Sequence, residues 1–239
     1  MIINYLKQGE IRYAILMVVA VVAAMTVHEF AHAYAAHKCG DDTAYAFGRM
    51  TLNPLKHIDW FGFAAMLLMG FGWAKPVPVN MRGLRKPRRD IAIVAFAGPA
   101  SNFILAFLCV GFMRLLFLLM SSGVVSFGSS SFGGKLFDSF YFLFAISAIL
   151  NVGLGLFNLI PLPPLDGSKV LSSLLPNKWS ARYLMLERYA PIIMVVIIAL
   201  SYMDVISSIF YPLEWLRDKI LYVFSLPYVF GAYAYFLPW

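Results

Sequence analysis

The sequence predicts an all-α polytopic membrane protein, a bundle of four to five transmembrane helices, from its composition and from the length of its apolar runs. Hydrophobic residues make up 61% of the 239 residues and charged residues 13%, whereas soluble domains contain roughly 45–50% and about 25%. A soluble chain of this length cannot bury so much apolar surface. The composition therefore excludes a cytosolic enzyme, a disordered protein and a secreted disulfide scaffold.

The apolar runs are long enough to cross a membrane, because a bilayer core of about 30 Å requires about 20 helical residues. Four runs reach this length, at residues 13–36, 91–120, 136–162 and 190–211. A fifth, at 221–239, contains Pro227 and Pro238, and we expect it either to span the membrane or to lie at its interface.

We expect one integral membrane domain over residues 1–239, with a core at 13–168 and C-terminal helices at 190–239. The sequence carries no signal for an oligomeric state.

The basic residues are concentrated in two of the predicted loops, and this orients the chain in the membrane. The net charge of +7 comes from 19 Lys and Arg against 12 Asp and Glu. Nine basic residues fall at 38–90 and four at 161–189, whereas 121–135 contains only Lys135. Since Lys- and Arg-rich loops stay in the cytoplasm, we expect the first two segments on the cytoplasmic side and 121–135 outside. The charge indicates topology and predicts no nucleic-acid partner.

Residues 38–90 contain a stretch with unusual local preferences. A short apolar piece at 64–72 is followed by Trp-Ala-Lys-Pro-Val-Pro-Val-Asn at 73–80. Two prolines and β-branched residues at alternating positions favour an extended ribbon over a helix. Extended backbone at membrane depth needs cover from protein or from a watery cavity. We therefore predict a small membrane-associated β-hairpin on the cytoplasmic side, either re-entrant or interfacial.

The motif His-Glu-x-x-His stands near the end of the first span, at His28, Glu29 and His32. Positions i and i+4 of a helix share a face, so both imidazoles can bind one zinc ion, and the intervening glutamate lies near a water molecule at the metal. Ionisable groups within a span are costly and usually functional. The motif therefore predicts a zinc site rather than a chance cluster.

A hydrolytic zinc site needs a third ligand from the protein, and four residues are candidates. His37 lies at least a turn too far along the helix. His57 and Asp59 lie in the long cytoplasmic segment, where a turn-forming or capping role competes with metal binding. Asp166 is the better choice, because it follows the proline-rich stretch 158–165 at the predicted cytoplasmic end of the third span. That end lies on the same side as the two histidines.

Three motifs together resemble the signature set of the site-2 protease family of intramembrane zinc metalloproteases. They are HEFAHA in the first span, AGPASN at 97–102 and NLIPLPPLDGS at 158–168. In addition, TLNPLKHIDWFG at 51–62 resembles the compact members that lack a PDZ domain. The resemblance implies that His28, His32 and Asp166 are the zinc ligands and that Glu29 is the catalytic base.

The resemblance extends to the predicted hairpin and to two asparagines. Residues 70–79 are similar to the family's membrane-embedded β-hairpin, and Asn102 and Asn158 match asparagines near the active site. Either asparagine could donate a hydrogen bond to an oxyanion or to substrate backbone. Hydrogen bonding between helices of the bundle is the alternative role for both.

The implied function is hydrolysis of peptide bonds within or near transmembrane segments, with zinc as the cofactor. The expected partners are a transmembrane protein substrate and the lipid bilayer, and the expected location is the cell membrane, with the active site toward the cytoplasm. The alternative is a non-hydrolytic protein, either a metal transporter or a catalytically silent regulator. A transporter is expected to have ionisable residues along several spans, and a silent regulator is expected to lack Glu29 or one of the zinc ligands. The sequence shows neither feature.

Overall fold

The computed structural model describes residues 2–69, 72–123, 131–201 and 205–225, and this part of the chain is mostly helical. The α-helices in chain order are α1 (Ile2–Lys7), α2 (Ile11–Lys38), α3 (Thr43–Ala46), α4 (Trp60–Met69), α5 (Pro87–Ser121), α6 (Phe132–Asn158), α7 (Asp166–Leu174), α8 (Asn177–Leu184), α9 (Ala190–Ser201) and α10 (Val205–Ser225). Short 3₁₀ turns lie at Pro54–Lys56 and Met185–Tyr189.

Helices α2, α5 and α6 form the bundle and are long and apolar enough to cross a membrane, with 28, 35 and 27 residues. Local sequence sets where two of them begin. Pro87 occupies the first turn of α5, and the N–H of Lys86 donates to the Asp90 carboxylate at 2.7 Å. Ser131 caps α6 by accepting the N–H of Gly134 at 3.1 Å. Both arrangements satisfy backbone groups that a helix start leaves without partners.

The two largest of four apolar clusters in the described chain join most of the bundle helices, and small residues in both allow the helices to approach closely. The first joins α1 and α2 to α6 through Ile2, Tyr5, Ala14, Met17, Ala20, Phe142 and Ile146. The second joins α5 and α6 to the C-terminal part of α10 through Ala106, Cys109, Val110, Ala148, Val152 and Leu221. The C-terminal end of α2, the N-terminal half of α5 and the C-terminal end of α6 consequently meet at one end of the bundle.

The predicted count of four to five spans is not confirmed, because the described residues contain three candidate spans. The fourth run, 190–211, divides between α9, which has 12 residues, and the start of α10; residues 202–204 lie outside the described part. Helix α10 has Pro212 inside it and four charged residues, Glu214, Arg217, Asp218 and Lys219, in its middle. Of the fifth run, only 221–225 is described, as the end of α10.

The predicted β-hairpin at 70–79 is not confirmed either, since the described residues contain no strand. The apolar piece that precedes it belongs to helix α4, and Gly70 and Phe71 lie outside the described part. Residues 75–80 run without helix or strand pairing, next to one isolated antiparallel bridge between Ile58 and Ala74. The alternating prolines prevent a helix, as predicted, but they also remove the N–H groups that a paired ladder would use.

Candidate metal centre

The two histidines of α2 face one another across a helical turn in the interior of the bundle. Their Nε2 atoms lie 3.0 Å apart, and the rings meet edge to face with centroids 4.6 Å apart. His28 is 7% exposed and His32 8%. The i, i+4 spacing therefore places two nitrogen ligands side by side at membrane depth.

Asp166 brings a third ligand atom to the same point. Its Oδ2 atom lies 3.1 Å from Nε2 of His28 and 3.2 Å from Nε2 of His32. The carboxylate belongs to the first residue of α7 and is reached after the proline-rich turn that ends α6. Gly167 permits this turn, because a Cβ there would lie 2.2 Å from the carbonyl oxygen of Leu159. The chain therefore folds back tightly enough to return Asp166 to the bundle.

Hydrogen bonds on the far side of each ring fix where the lone pairs point. Nδ1 of His28 lies 2.6 Å from Oδ1 of Asn102, and Nδ1 of His32 lies 2.7 Å from the carbonyl oxygen of Val94. Both partners are acceptors, so each Nδ1 carries the proton and each Nε2 turns a lone pair toward Asp166. Two nitrogen lone pairs and a carboxylate that converge in a buried space are stabilised by a bound cation.

The spacing of the three atoms fits a divalent metal ion. Nitrogen and oxygen ligands of tetrahedral zinc lie about 2.0–2.2 Å from the metal and therefore about 3.3 Å from each other. The observed separations of 3.0–3.2 Å are close to that value. His28, His32 and Asp166 also form the only cluster of three or more potential ligand side chains in the described part of the chain.

Asn102 belongs to a relay of amides that joins all three helices of the bundle. Its Nδ2 donates to Oδ1 of Asn151 at 2.7 Å and to the carbonyl oxygen of Ala24 at 3.3 Å. Asn151 in turn donates to the carbonyl oxygen of Ser147 at 2.8 Å. Asn102 and Asn151 are both fully buried. The side chain that orients His28 is therefore itself fixed by α2 and α6.

Gly98 of α5 leaves the space that the imidazoles fill. A Cβ at this position would lie 2.4 Å from Nε2 of His32 and 2.6 Å from Cε1 of His28. Separations under 3.0 Å are not found for real Cβ atoms. Helix α5 can approach the histidines, and supply Asn102 one turn further on, only with glycine here.

Glu29 lies between the two histidines in sequence and turns to a different neighbour. Its Oε2 atom accepts the backbone N–H of Val77 at 2.9 Å. The side chain is half-buried. A carboxylate next to the ligand pair, with one oxygen held by the backbone, can accept a proton with its other oxygen.

The other predicted site residues lie apart from the cluster. His37 pairs with Asp42 at 2.5 Å on the surface, and Asp59 accepts the N–H of Gly62 at 2.9 Å near the start of α4. His57 is buried, and its Nε2 donates to the carbonyl oxygen of Thr51 at 2.8 Å. None of these three is part of the candidate centre in the described structure. His57 and Asp59 make contacts of the turn and capping kind that were their alternative.

Asn158 makes a local contact, and Asn151 is the residue that sequence reasoning missed. Nδ2 of Asn158 donates to the carbonyl oxygen of Leu154, one turn back in the same helix, at 2.9 Å. Asn151 interrupts the apolar run of the third predicted span, and a buried amide in such a run requires a partner. The sequence therefore indicated that Asn151 has a hydrogen-bond partner, although it did not show which helix supplies that partner.

The fold and the site together define a class: a polytopic membrane protein whose helix bundle encloses a His-His-Asp candidate metal centre beside a glutamate. The chain belongs to Peptidase family M50, which matches it over residues 16–203. This membership confirms the resemblance to the site-2 proteases.

Two relatives show how far the similarity extends. The chain is 44% identical over 210 residues to the "Putative zinc metalloprotease YwhC" of Bacillus subtilis, covering 87% of this chain and 90% of the relative. It is 29% identical over 157 residues to the "Putative zinc metalloprotease Rip2" of Mycolicibacterium smegmatis, covering 64% of this chain and 54% of that protein. The chain thus spans about half the length of the second relative. No solved structure matches the chain.

Proposed function

We propose that the protein is an intramembrane zinc metalloprotease that hydrolyses peptide bonds within or near transmembrane segments of membrane proteins. One observation carries the proposal: Nε2 of His28, Nε2 of His32 and Oδ2 of Asp166 converge within 3.2 Å inside a bundle of membrane-length helices. The names of the two relatives, both of which specify a zinc metalloprotease, support zinc as the metal.

The residues divide the chemistry between them. His28, His32 and Asp166 hold the zinc ion, which supplies Lewis-acid activation of water and of the scissile carbonyl. Glu29 takes the proton from the attacking water and passes it to the leaving amine nitrogen. Asn102 holds His28 rather than the oxyanion, since both ends of its amide contact protein groups. Asn158 remains the proposed donor to substrate or oxyanion.

The depth of the site defines the substrate class. A peptide bond that reaches buried ligands between membrane-length helices belongs to a transmembrane helix or to its end, and helical amides are shielded until the helix unwinds. Residues 75–80 run alongside Glu29 without helix or strand pairing. We propose that an unwound substrate segment lies along this stretch in strand-like fashion. In this proposal the protein resides in the cell membrane and water enters from the cytoplasmic side.

The decisive experiment compares Glu29→Gln with wild type on a model transmembrane substrate in detergent. Gln keeps the size of Glu29 but cannot accept the proton, so cleavage should fall by about 10²- to 10⁴-fold while one zinc per chain remains bound. Glu10→Gln is the matched control, because Glu10 precedes α2, is exposed and makes no side-chain cap. It should cleave like wild type.

Three results would contradict this function. Equal cleavage by Glu29→Gln and wild type would show that Glu29 is not the general base. Substrate binding without cleavage by either protein would favour a silent regulator. Zinc flux into proteoliposomes without hydrolysis would favour a transporter.

A further inference from the structure

Residues 75–80, termed the 75–80 segment, pass alongside Glu29 and are held there by Glu29 itself and by other groups that have no part in the proposed chemistry. Pro76 and Pro78 carry no N–H, so the segment has four backbone donors. Three of the four have acceptors: Lys75 donates to the carbonyl oxygen of His57 at 2.8 Å, Val77 to Oε2 of Glu29 at 2.9 Å and Asn80 to Oδ2 of Asp41 at 2.6 Å.

Arg49 holds the same segment through a carbonyl oxygen. Its Nη2 donates to the carbonyl oxygen of Lys75 at 2.6 Å, with a longer contact of 3.4 Å to that of Pro76. Arg49 is 7% exposed, and within the described residues no carboxylate pairs with it. A buried guanidinium is costly unless its donors are used. Nη2 of Arg49 meets this requirement through the 75–80 segment, whereas its buried Nε has no hydrogen-bond partner among the described residues.

The backbone places Asp41 and Arg49, the two holding residues of the 75–80 segment, in the same way. Two residues after the end of α2 lies Gly40, which has φ +105°, and the N–H of Asp41 then donates to the carbonyl oxygen of Ala36. Two residues after the end of α3 lies Gly48, which has φ +63°, and the N–H of Arg49 donates to the carbonyl oxygen of Ala44.

Each arrangement is a Schellman motif, in which a left-handed glycine turns the chain and fixes the residue after it. Asp41 and Arg49 occupy that fixed position in their respective motifs.

We infer that Asp41 and Arg49 are positioning residues for peptide hydrolysis. They fix the 75–80 segment at its two ends so that the N–H of Val77 holds one oxygen of Glu29 and leaves the other for the attacking water. The inference rests on the proposed function for its catalytic part. The holding of the segment is a property of the fold alone and is tested separately.

The expected effect on rate follows from the mobility of a glutamate side chain. Three rotatable bonds separate its carboxylate from the backbone, and a misplacement of about 1 Å in an active site can cost about 10²-fold in rate. Loss of either holding residue should therefore lower kcat by about 10- to 10²-fold, and zinc binding should persist because neither residue contacts a ligand of the candidate centre.

Hydrogen–deuterium exchange in detergent tests the holding without reference to activity. Peptides containing Lys75, Val77 and Asn80 should exchange about tenfold faster in Asp41→Ala and in Arg49→Met than in wild type. Asp42→Ala is the matched control, since its neighbouring carboxylate is exposed and pairs only with His37 in the described structure. Unchanged exchange in both variants would overturn the inference whether or not the protein is a protease.

Val77→Pro tests the catalytic consequence directly, because it removes the N–H that Glu29 accepts. The expected result is a kcat lower by about 10- to 10²-fold, an unchanged KM and one zinc per chain. Asp42→Ala, the control of the exchange experiment, changes a carboxylate that pairs with His37 outside the segment, and it should retain wild-type kcat. Arg49→Lys can still donate to a carbonyl and should recover part of the activity lost in Arg49→Met.

A double-mutant cycle separates positioning from general damage to the fold. In a Glu29→Gln background, Val77→Pro should cause no further loss, because the group that it positions no longer accepts a proton. Additive losses would mean structural damage and would overturn the positioning role. A wild-type protein without any hydrolysis would instead refute the proposed function, and the exchange experiment would still decide whether the segment is held.

Discussion

The Oδ1 atom of Asn102 lies 2.6 Å from Nδ1 of His28, on the side of the ring that faces away from the candidate metal centre. This contact sets the tautomer of His28 and the angle at which Nε2 meets the other two ligand atoms. The amide nitrogen of Asn102 is held by Asn151, so the orientation of one ligand depends on side chains of two further helices. Partners of this kind contribute substantially to metal affinity.

Asn102→Ala should therefore weaken zinc binding without removing a ligand. We expect a loss of about 10- to 100-fold in affinity, measured by competition with a chromogenic chelator in detergent. Asn158→Ala is the control, because among the described residues its amide contacts only the carbonyl oxygen of Leu154 in its own helix, and its zinc affinity should equal that of wild type. Equal affinities of Asn102→Ala and wild type would show that the relay does not support His28.

The sequence was sufficient for the parts of the site that are encoded locally. His28 and His32 are one helical turn apart, so their spacing alone predicts that they converge. Asp166 could be ranked first because it shares a predicted membrane side with them. The carbonyl oxygen of Val94 and the amide of Asn151 could not be assigned, since their contacts depend on which faces of three separate helices pack together.

The fold was predictable to a similar degree. Three long apolar runs became α2, α5 and α6, and the prolines at 76 and 78 correctly excluded a helix over residues 75–80. The partner of that backbone was not predictable, because it consists of individual groups such as Arg49 and Asp41 rather than a second strand. The run at 190–211 was predicted less well. Hydropathy alone did not reveal that the described chain forms two helices there, and that the second helix carries charged residues.

The orientation in the membrane gives a prediction that is independent of catalysis. A reporter inserted within residues 82–89 should be found on the cytoplasmic side and one within 121–131 on the outside, because the basic loops remain in the cytoplasm. Alkaline phosphatase and green fluorescent protein fusions in the expression host measure this. A third fusion before α2 should report the outside, since α2 ends at the basic loop. The reverse pattern would place the candidate centre on the opposite face.

Asp41 should make stability depend on pH in the acid range. Burial alone would raise the pKa of its carboxyl, but hydrogen bonds from the Thr43 hydroxyl and from the N–H groups of Asn80 and Thr43 outweigh burial and hold the pKa below its usual value. A depressed pKa in the folded state stabilises the protein above the unfolded pKa of about 3.9, and this stabilisation is lost as pH falls through the folded value.

The measurement is the thermal midpoint of wild type and Asp41→Asn in detergent between pH 7 and pH 3. The two midpoints should differ by a constant amount from pH 7 to about pH 5 and should converge below about pH 4. Thr43→Val removes one donor to the carboxylate and brings the folded pKa closer to the unfolded one, so in this background the effect of Asp41→Asn should be smaller and its loss should be complete at a higher pH. A difference that is constant down to pH 3 would contradict the assigned role of these hydrogen bonds.

Gly98→Ala should disrupt the candidate metal centre through a single methyl group. The new Cβ would lie 2.4 Å from Nε2 of His32 and 2.6 Å from Cε1 of His28. His32 cannot move aside without losing its 2.7 Å contact with the carbonyl oxygen of Val94, so at least one nitrogen must leave the cluster. Zinc affinity should fall by about 10²-fold or more.

Gly111→Ala is the matched control for Gly98→Ala, because it makes the same change in the same helix at a position with no heavy atom within 4 Å of the new Cβ. Alanine favours a helix over glycine by about 1 kcal/mol, so Gly111→Ala should keep its zinc and unfold at an equal or higher temperature. Metal analysis of both purified variants decides the matter: one zinc per chain, bound with wild-type affinity, in Gly98→Ala would mean that α5 does not press against the histidines as described.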